Sequence, residues 1–312
     1  MRTLILGGTV FLGRHVAAEA LARGHELTLF TRGLHGAGLF PEAERLRGDR
    51  GRDVSALRGR EWDAVIDTSG YAPADVAASS EALAGSGAHL VFVSSINAYP
   101  GWPAQTVDED SPAWETGPDE YGPNKAAAER AAEAALPGRV AAVRAGLLVG
   151  PHDGVFRLPW WVKRIAEGGD VPAPGDPSRP LQIIDARDLA AWMLELAERR
   201  VAGTFNGTGP AGMTTMGELL EAAVDATGSG ARLRWIPDGA LRAQARSRGT
   251  SSRCGRPRTR WPGRGGSARS ARRPPGCAAG RSRRRSPAWR TGCATAARPR
   301  WGTGARTRAP RR

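Results

Sequence analysis

Leu4-Ile5-Leu6-Gly7-Gly8-Thr9-Val10-Phe11-Leu12-Gly13 is an apolar run, a glycine pair and, three residues on, a helix start. Glycines allow a tight turn and let a pyrophosphate approach the backbone, while the helix N-terminus presents unpaired N–H groups and a positive dipole end. The segment therefore predicts a strand–turn–helix cradle for a dinucleotide. Gly7, Gly8, Thr9, Phe11, Leu12 and Gly13 are its candidate cofactor-binding residues. Val10 stands where the usual pattern has a middle glycine, and its Cβ is expected to crowd a diphosphate.

Outward from this turn, short apolar runs alternate with helical spacing. Residues 3–6, 26–30, 64–66, 89–93 and 140–149 read as strands, and 14–22, 73–84 and 124–136 as helices. That alternation predicts an α/β fold, a Rossmann-type doubly wound parallel sheet with helices on both faces. Beyond residue 150 the pattern loosens. Residues 183–199 read as a strand and helix, 216–227 as a helix and 233–236 as a strand, with a Pro/Gly loop over 172–180. Trp160-Trp161, in an apolar segment, are expected to pack in the interior of this part. The organisation is a dinucleotide-binding domain over 1–150, remaining sheet elements with a partial substrate lobe over 151–245, and a disordered basic tail over 246–312.

The tail sets itself apart by its alphabet. Residues 246–312 contain only Arg, Ser, Gly, Thr, Cys, Pro, Trp and Ala, the amino acids whose codons carry C or G at the second position. These types make up about half of an ordinary protein, so chance gives such a run with odds on the order of 10⁻²⁰. Out-of-frame translation of a GC-rich gene produces this alphabet, and the reading is tested by resequencing around codon 245. The segment holds 21 of the 45 Lys and Arg and none of the 31 Asp and Glu, so the first 245 residues carry 24 basic against 31 acidic side chains, a net −7. Nucleic-acid binding by the body is thus disfavoured, and non-specific binding by the tail is the expected source of any such affinity. All three cysteines lie in the tail without paired spacing, and the five histidines show no ligand spacing, so no metal is expected. Neither a signal peptide nor a membrane span is legible, which points to a cytoplasmic protein.

A second constellation follows the turn. Val91-Phe92-Val93-Ser94-Ser95 closes a strand on two hydroxyls, and Tyr121-Gly122-Pro123-Asn124-Lys125 opens a helix with Tyr and Lys four apart, on one side. An ammonium near a phenol favours the phenolate and is expected to lower the Tyr121 pKa. The candidate catalytic set is Ser95, Tyr121 and Lys125: Ser95 bonds the substrate oxygen, Tyr121 moves its proton, and Lys125 also holds the nicotinamide ribose. Thr31-Arg32 ends the second strand with no carboxylate, and Arg32 suits a 2′-phosphate, which tilts the cofactor towards NADP over NAD. Asp49, after a third strand, is a candidate partner of the adenine amine. Thr68, after the strand at 64–66, completes the cofactor set.

Together these motifs resemble the extended short-chain dehydrogenase/reductase superfamily, the NAD-dependent epimerase/dehydratase family, over about residues 1–235. Gly7, Gly8, Gly13, Ser95, Tyr121 and Lys125 fall on its motif positions. The resemblance implies an NAD(P)-dependent epimerase or reductase acting by hydride transfer on a small hydroxyl or carbonyl compound, with nucleotide sugars as the candidate class and a homodimer as the candidate assembly. It also implies that Ser95, four residues before Tyr99, carries the catalytic hydroxyl, and that Asn97, Arg179 and Gln182 contact substrate. Sugar dehydratases of the family carry Asp-Glu where this chain has Ile96-Asn97, so 4,6-dehydration is not expected. The segments around Gly7–Gly13 and Gly24–Gly33 are also similar to plant chloroplast stem-loop RNA-binding relatives. The competing reading is therefore a non-catalytic RNA-binding or regulatory protein on the same scaffold.

Overall fold

The computed structural model describes residues 1–240; the tail expected over 246–312 lies outside the described residues. In chain order the elements are β1 (Arg2–Leu6), α1 (Phe11–Ala22), β2 (Glu26–Thr31), β3 (Glu44–Arg47), β4 (Ala64–Asp67), α2 (Pro73–Leu83), β5 (His89–Ser95), α3 (Tyr121–Ala135), β6 (Val140–Ala145) and β7 (Leu147–Val149). They continue with α4 (Arg157–Ala166), β8 (Asp170–Pro174), β9 (Pro180–Leu181), β10 (Ile183–Asp185), α5 (Ala186–Glu198), β11 (Gly203–Gly207), β12 (Thr214–Thr215), α6 (Met216–Thr227) and β13 (Arg232–Ile236).

Seven strands form one parallel sheet in the order β11-β6-β5-β4-β1-β2-β3. The chain winds outward from β1 through β2 to β3, then restarts at β4 and winds the other way. The switch point therefore lies between β1 and β4, where ligands of such sheets bind beyond the carboxyl ends of the strands. Side chains alternate across the sheet with period two. Ile5 and Leu29 pack with Val16 and Ala20 of α1 and Leu189 and Met193 of α5. Leu4 and Leu6 face the other way, onto Val76 and Leu83 of α2 and Ala128 and Ala132 of α3. Truncating a fully buried residue such as Ile5 to alanine costs about 2–5 kcal/mol.

Three departures from the sequence expectations have local causes. The run at 140–149 is not one strand. It breaks at Gly146, whose N–H donates to Gly207 O at 2.9 Å, and β7 leaves the main sheet to pair with β10. The segment at 172–180 is not wholly a loop, because β8 pairs in parallel with β13 over Asp170–Pro174; Pro172 is tolerated in a two-stranded ribbon with a free edge. Trp161 packs against the small cluster of Ile165, Val171 and Leu220, but Trp160 is exposed, its ring edge-on to Trp161 at 4.7 Å. Among the described residues, no helix is long and apolar enough to cross a membrane.

Candidate active site

Two glycines make the turn after β1. Gly7 and Gly8 have φ of 112° and 91°, which side chains rarely adopt. A Cβ on Gly7 would lie 2.6 Å from Thr68 Oγ1, and one on Gly13 would lie 2.7 Å from the Gly8 nitrogen. Gly13 thus lets α1 sit directly against the turn. Thr68 follows β4 and ties the two sides of the switch point together, its Oγ1 donating to Leu6 O at 3.2 Å. Thr9 lies in the turn, and Phe11 and Leu12 open α1. No side chain caps this helix and its first turn holds no acid, so its N-terminal amides are left for an anion. Val10 is the N-cap in extended backbone, φ −131°, with its side chain exposed. Positive φ falls instead on Gly7 and Gly8 and, at the helix start, on Phe11 at 27°. This cradle fits a dinucleotide pyrophosphate: a Cβ would fill it at two positions, and its donors are backbone amides.

Beyond the ends of β2 and β3, Arg32, Arg47, Gly48, Asp49 and Arg52 line one open cleft of about 490 Å³. Arg47 pairs in register with Thr31, and its guanidinium lies against Gly33, the residue after Arg32. Asp49 accepts the Gly51 N–H at 3.2 Å, with Arg52 Nε 3.9 Å from its carboxylate. The sequence reading missed Arg47 and Arg52 because Glu44-Arg45-Leu46-Arg47 has one apolar residue and no readable alternation.

Ser95 ends β5 and Tyr121 begins α3. The two are brought together where α3 crosses the turn at Ile96–Ala98; a Cβ on Gly122 would drive into the Asn97 carbonyl oxygen. Ser94 is turned inward and donates to Glu129, whereas Ser95 Oγ accepts from Asn97 N at 3.2 Å and Asn97 Nδ2 at 3.1 Å. With both acceptor positions used, the Ser95 hydroxyl has its proton to give. Lys125 is buried. Its ammonium donates to Gly70 O at 2.6 Å and Val93 O at 2.8 Å, and lies 4.9, 5.0 and 5.9 Å from the ring centroids of Tyr71, Phe92 and Tyr121. Burial pushes its pKa down to about 8, with Asp67 holding it up and Arg50 adding to the fall.

The expectation that Lys125 lowers the Tyr121 pKa is not met. Desolvation raises that phenol above its ordinary value, and the groups opposing the rise are the Ser95 hydroxyl and the Arg157 charge. The ammonium is committed to two backbone carbonyls rather than to the phenolic oxygen. Arg157 and Tyr71 escaped the sequence reading. Tyr71 stands four residues beyond β4, its ring 6.4 Å from that of Tyr121; burial raises its phenol above the ordinary value, and the Arg157 charge opposes that rise too. The only sequence signal for either was position, after a sheet strand and at a helix start. Arg179 and Gln182 make other contacts here: Arg179 is paired with Asp238 at 2.6 Å, and Gln182 Nε2 donates to Gly209 O at 3.0 Å.

The NAD dependent epimerase/dehydratase family matches residues 3–207, and the chain belongs to that family. No curated protein sequence matches it. Its fold is similar to that of UDP-N-acetylglucosamine 4-epimerase from Bacillus cereus, at 19% identity and TM-score 0.63, over 76% of this chain and 85% of that one. It is similar also to the enzyme WbmG of Bordetella bronchiseptica in complex with NAD and UDP, at 20% identity and TM-score 0.62, over 76% and 81% of the two chains. A third such structure is MoeE5 in complex with UDP-glucose and NAD, at 21% identity and TM-score 0.58, over 77% and 86%.

Proposed function

We propose that this chain is an NADP-dependent epimerase or reductase acting on a hydroxyl or carbonyl carbon of a nucleotide sugar. The observation that carries the reading is the meeting of Ser95, Tyr121 and Lys125 beside the Gly7–Thr68 crevice. A bound nicotinamide supplies the hydride acceptor or donor. Gly7, Gly8, Thr9, Phe11, Leu12, Gly13 and Thr68 hold the dinucleotide, and Asp49 the adenine end. The Arg32, Arg47 and Arg52 guanidiniums around one cleft favour a 2′-phosphate, hence NADP over NAD.

Ser95 Oγ donates to the substrate oxygen and fixes it near Tyr121. With its pKa raised, Tyr121 rests as the neutral phenol: in reduction it would give its proton to the substrate oxygen, and in oxidation it would take the hydroxyl proton only as the phenolate, after its own proton has left to solvent. Lys125 holds a positive charge at the back of the phenol and reaches the cofactor ribose with its third N–H. Asn97 orients Ser95. Arg179 and Gln182 are kept as substrate contacts that form only if Asp238 and Gly209 release them. Turnover of UDP-sugars by the full chain with NADP and with NAD tests the reading. Tyr121→Phe is expected to lower kcat at least 100-fold, the scale of general acid–base catalysis; unchanged turnover ends this mechanism.

A further inference from the structure

Tyr71 and Tyr121 are both half-exposed, with ring centroids 6.4 Å apart and planes tilted by 41°. An exposed aromatic ring is ordinary in itself. This one shares a buried ammonium with the reactive phenol, and Lys125 Nζ is nearer the Tyr71 centroid, at 4.9 Å, than that of Tyr121, at 5.9 Å.

The backbone beneath Tyr71 is held from several sides. Gly70 O accepts from Lys125, and a Cβ on Gly70 would lie 2.5 Å from the Phe92 ring and 2.9 Å from the Asp67 carboxylate. Asp67 Oδ1 accepts from Ser69 N at 2.9 Å and from Arg50 at 2.8 Å. Pro73 starts α2 two residues on. The ring is therefore kept half in solvent on a fixed backbone. Tyr71 precedes α2 and Tyr121 begins α3, helices packed on one face of the sheet, whereas the glycine turn opens α1 on the other face.

We propose that Tyr71 contacts the substrate and sets its specificity, forming with Tyr121 the two aromatic sides on which a pyranose ring lies by its C–H face. An aromatic face takes apolar C–H surface, and the phenol beside it adds a polar contact to a ring hydroxyl. The proposal rests on the nucleotide-sugar reading above and adds to it the group that meets the sugar.

The test is calorimetric titration of the full chain with NADPH, UDP and UDP-glucose, for the unaltered protein, Tyr71→Phe and Tyr71→Leu. In Tyr71→Leu the UDP-glucose Kd rises at least about tenfold, while the Kd values of UDP and NADPH move less than about twofold; Tyr71→Phe keeps UDP-glucose within about threefold. A UDP-glucose Kd that shifts no more than that of UDP overturns the proposal and leaves the nucleotide-sugar reading standing. A parallel loss of NADPH binding in Tyr71→Leu also overturns it, placing the ring with the cofactor or the fold. If the unaltered chain binds neither UDP nor UDP-glucose, the nucleotide-sugar reading falls and this inference with it.

Discussion

Arg144 on β6 grips Glu129 on α3 with three hydrogen bonds, Nη2 to Oε2 at 2.7 Å and Nε shared between Oε1 at 3.0 Å and Oε2 at 3.2 Å, with both side chains buried. Glu129 also accepts from Ser94, and the Arg144 guanidinium lies 4.4 Å above the Tyr99 ring. The pair ties the helix carrying Tyr121 and Lys125 to the strand end carrying Ser95. Removing one partner leaves a buried charge without compensation, so Glu129→Ala is expected to lose about 3–5 kcal/mol in urea denaturation. Glu129→Met with Arg144→Met together recovers most of that loss. A double variant no better than the single one would mean that the pair is not acting as a unit.

Lys125 makes stability depend on pH in a defined window. Its folded pKa of about 8 lies below the ordinary 10.5, so between those values the unfolded chain binds a proton that the folded chain has released. Stability then rises with pH across the window, and below about pH 8 the full penalty, roughly 3 kcal/mol, is present. Lys125→Met is expected to flatten that rise in denaturant midpoints measured from pH 7 to 10. An identical pH profile in the variant would contradict the assignment.

Tyr121 is held above its usual pKa, and Arg157 opposes the rise. Arg157→Gln is therefore expected to move the Tyr121 ionisation higher still, followed by phenolate absorbance with Tyr121→Phe as the reference. A downward shift would show that Arg157 does not face the phenol.

The acidic body separates the enzyme reading from the RNA-binding one. Deleting 246–312 removes 21 arginines, so RNA affinity of the full chain is expected to vanish with them while NADPH binding persists. RNA binding that survives the deletion, measured by filter retention at physiological salt, would favour the RNA-binding alternative.

What could be read in advance followed from strong local signals. The unbroken apolar run Leu4-Ile5-Leu6 marks a strand buried on both faces, and the glycines that follow it fix where the switch-point crevice lies. Ser95, Tyr121 and Lys125 were legible because each sits at the end or start of such an element. Contacts supplied by distant backbone were not legible. Lys125 is bound by Gly70 and Val93 carbonyls 55 and 32 residues away, which the Tyr-to-Lys spacing does not reveal. Arg47 was hidden because β3 is an edge strand with little apolar surface, and β8 because proline and glycine read as a loop until β13 pairs with it.

Fluorescence titration with NADPH and NADH tests the dinucleotide site at Gly7–Gly13 together with the Arg32, Arg47 and Arg52 cleft proposed to select a 2′-phosphate. Saturable binding of both is expected, NADPH tighter by about tenfold or more, with Arg32→Gln removing most of that difference. Equal or tighter NADH binding would contradict the role of Arg32, Arg47 and Arg52, and no saturable binding of either would contradict the site itself.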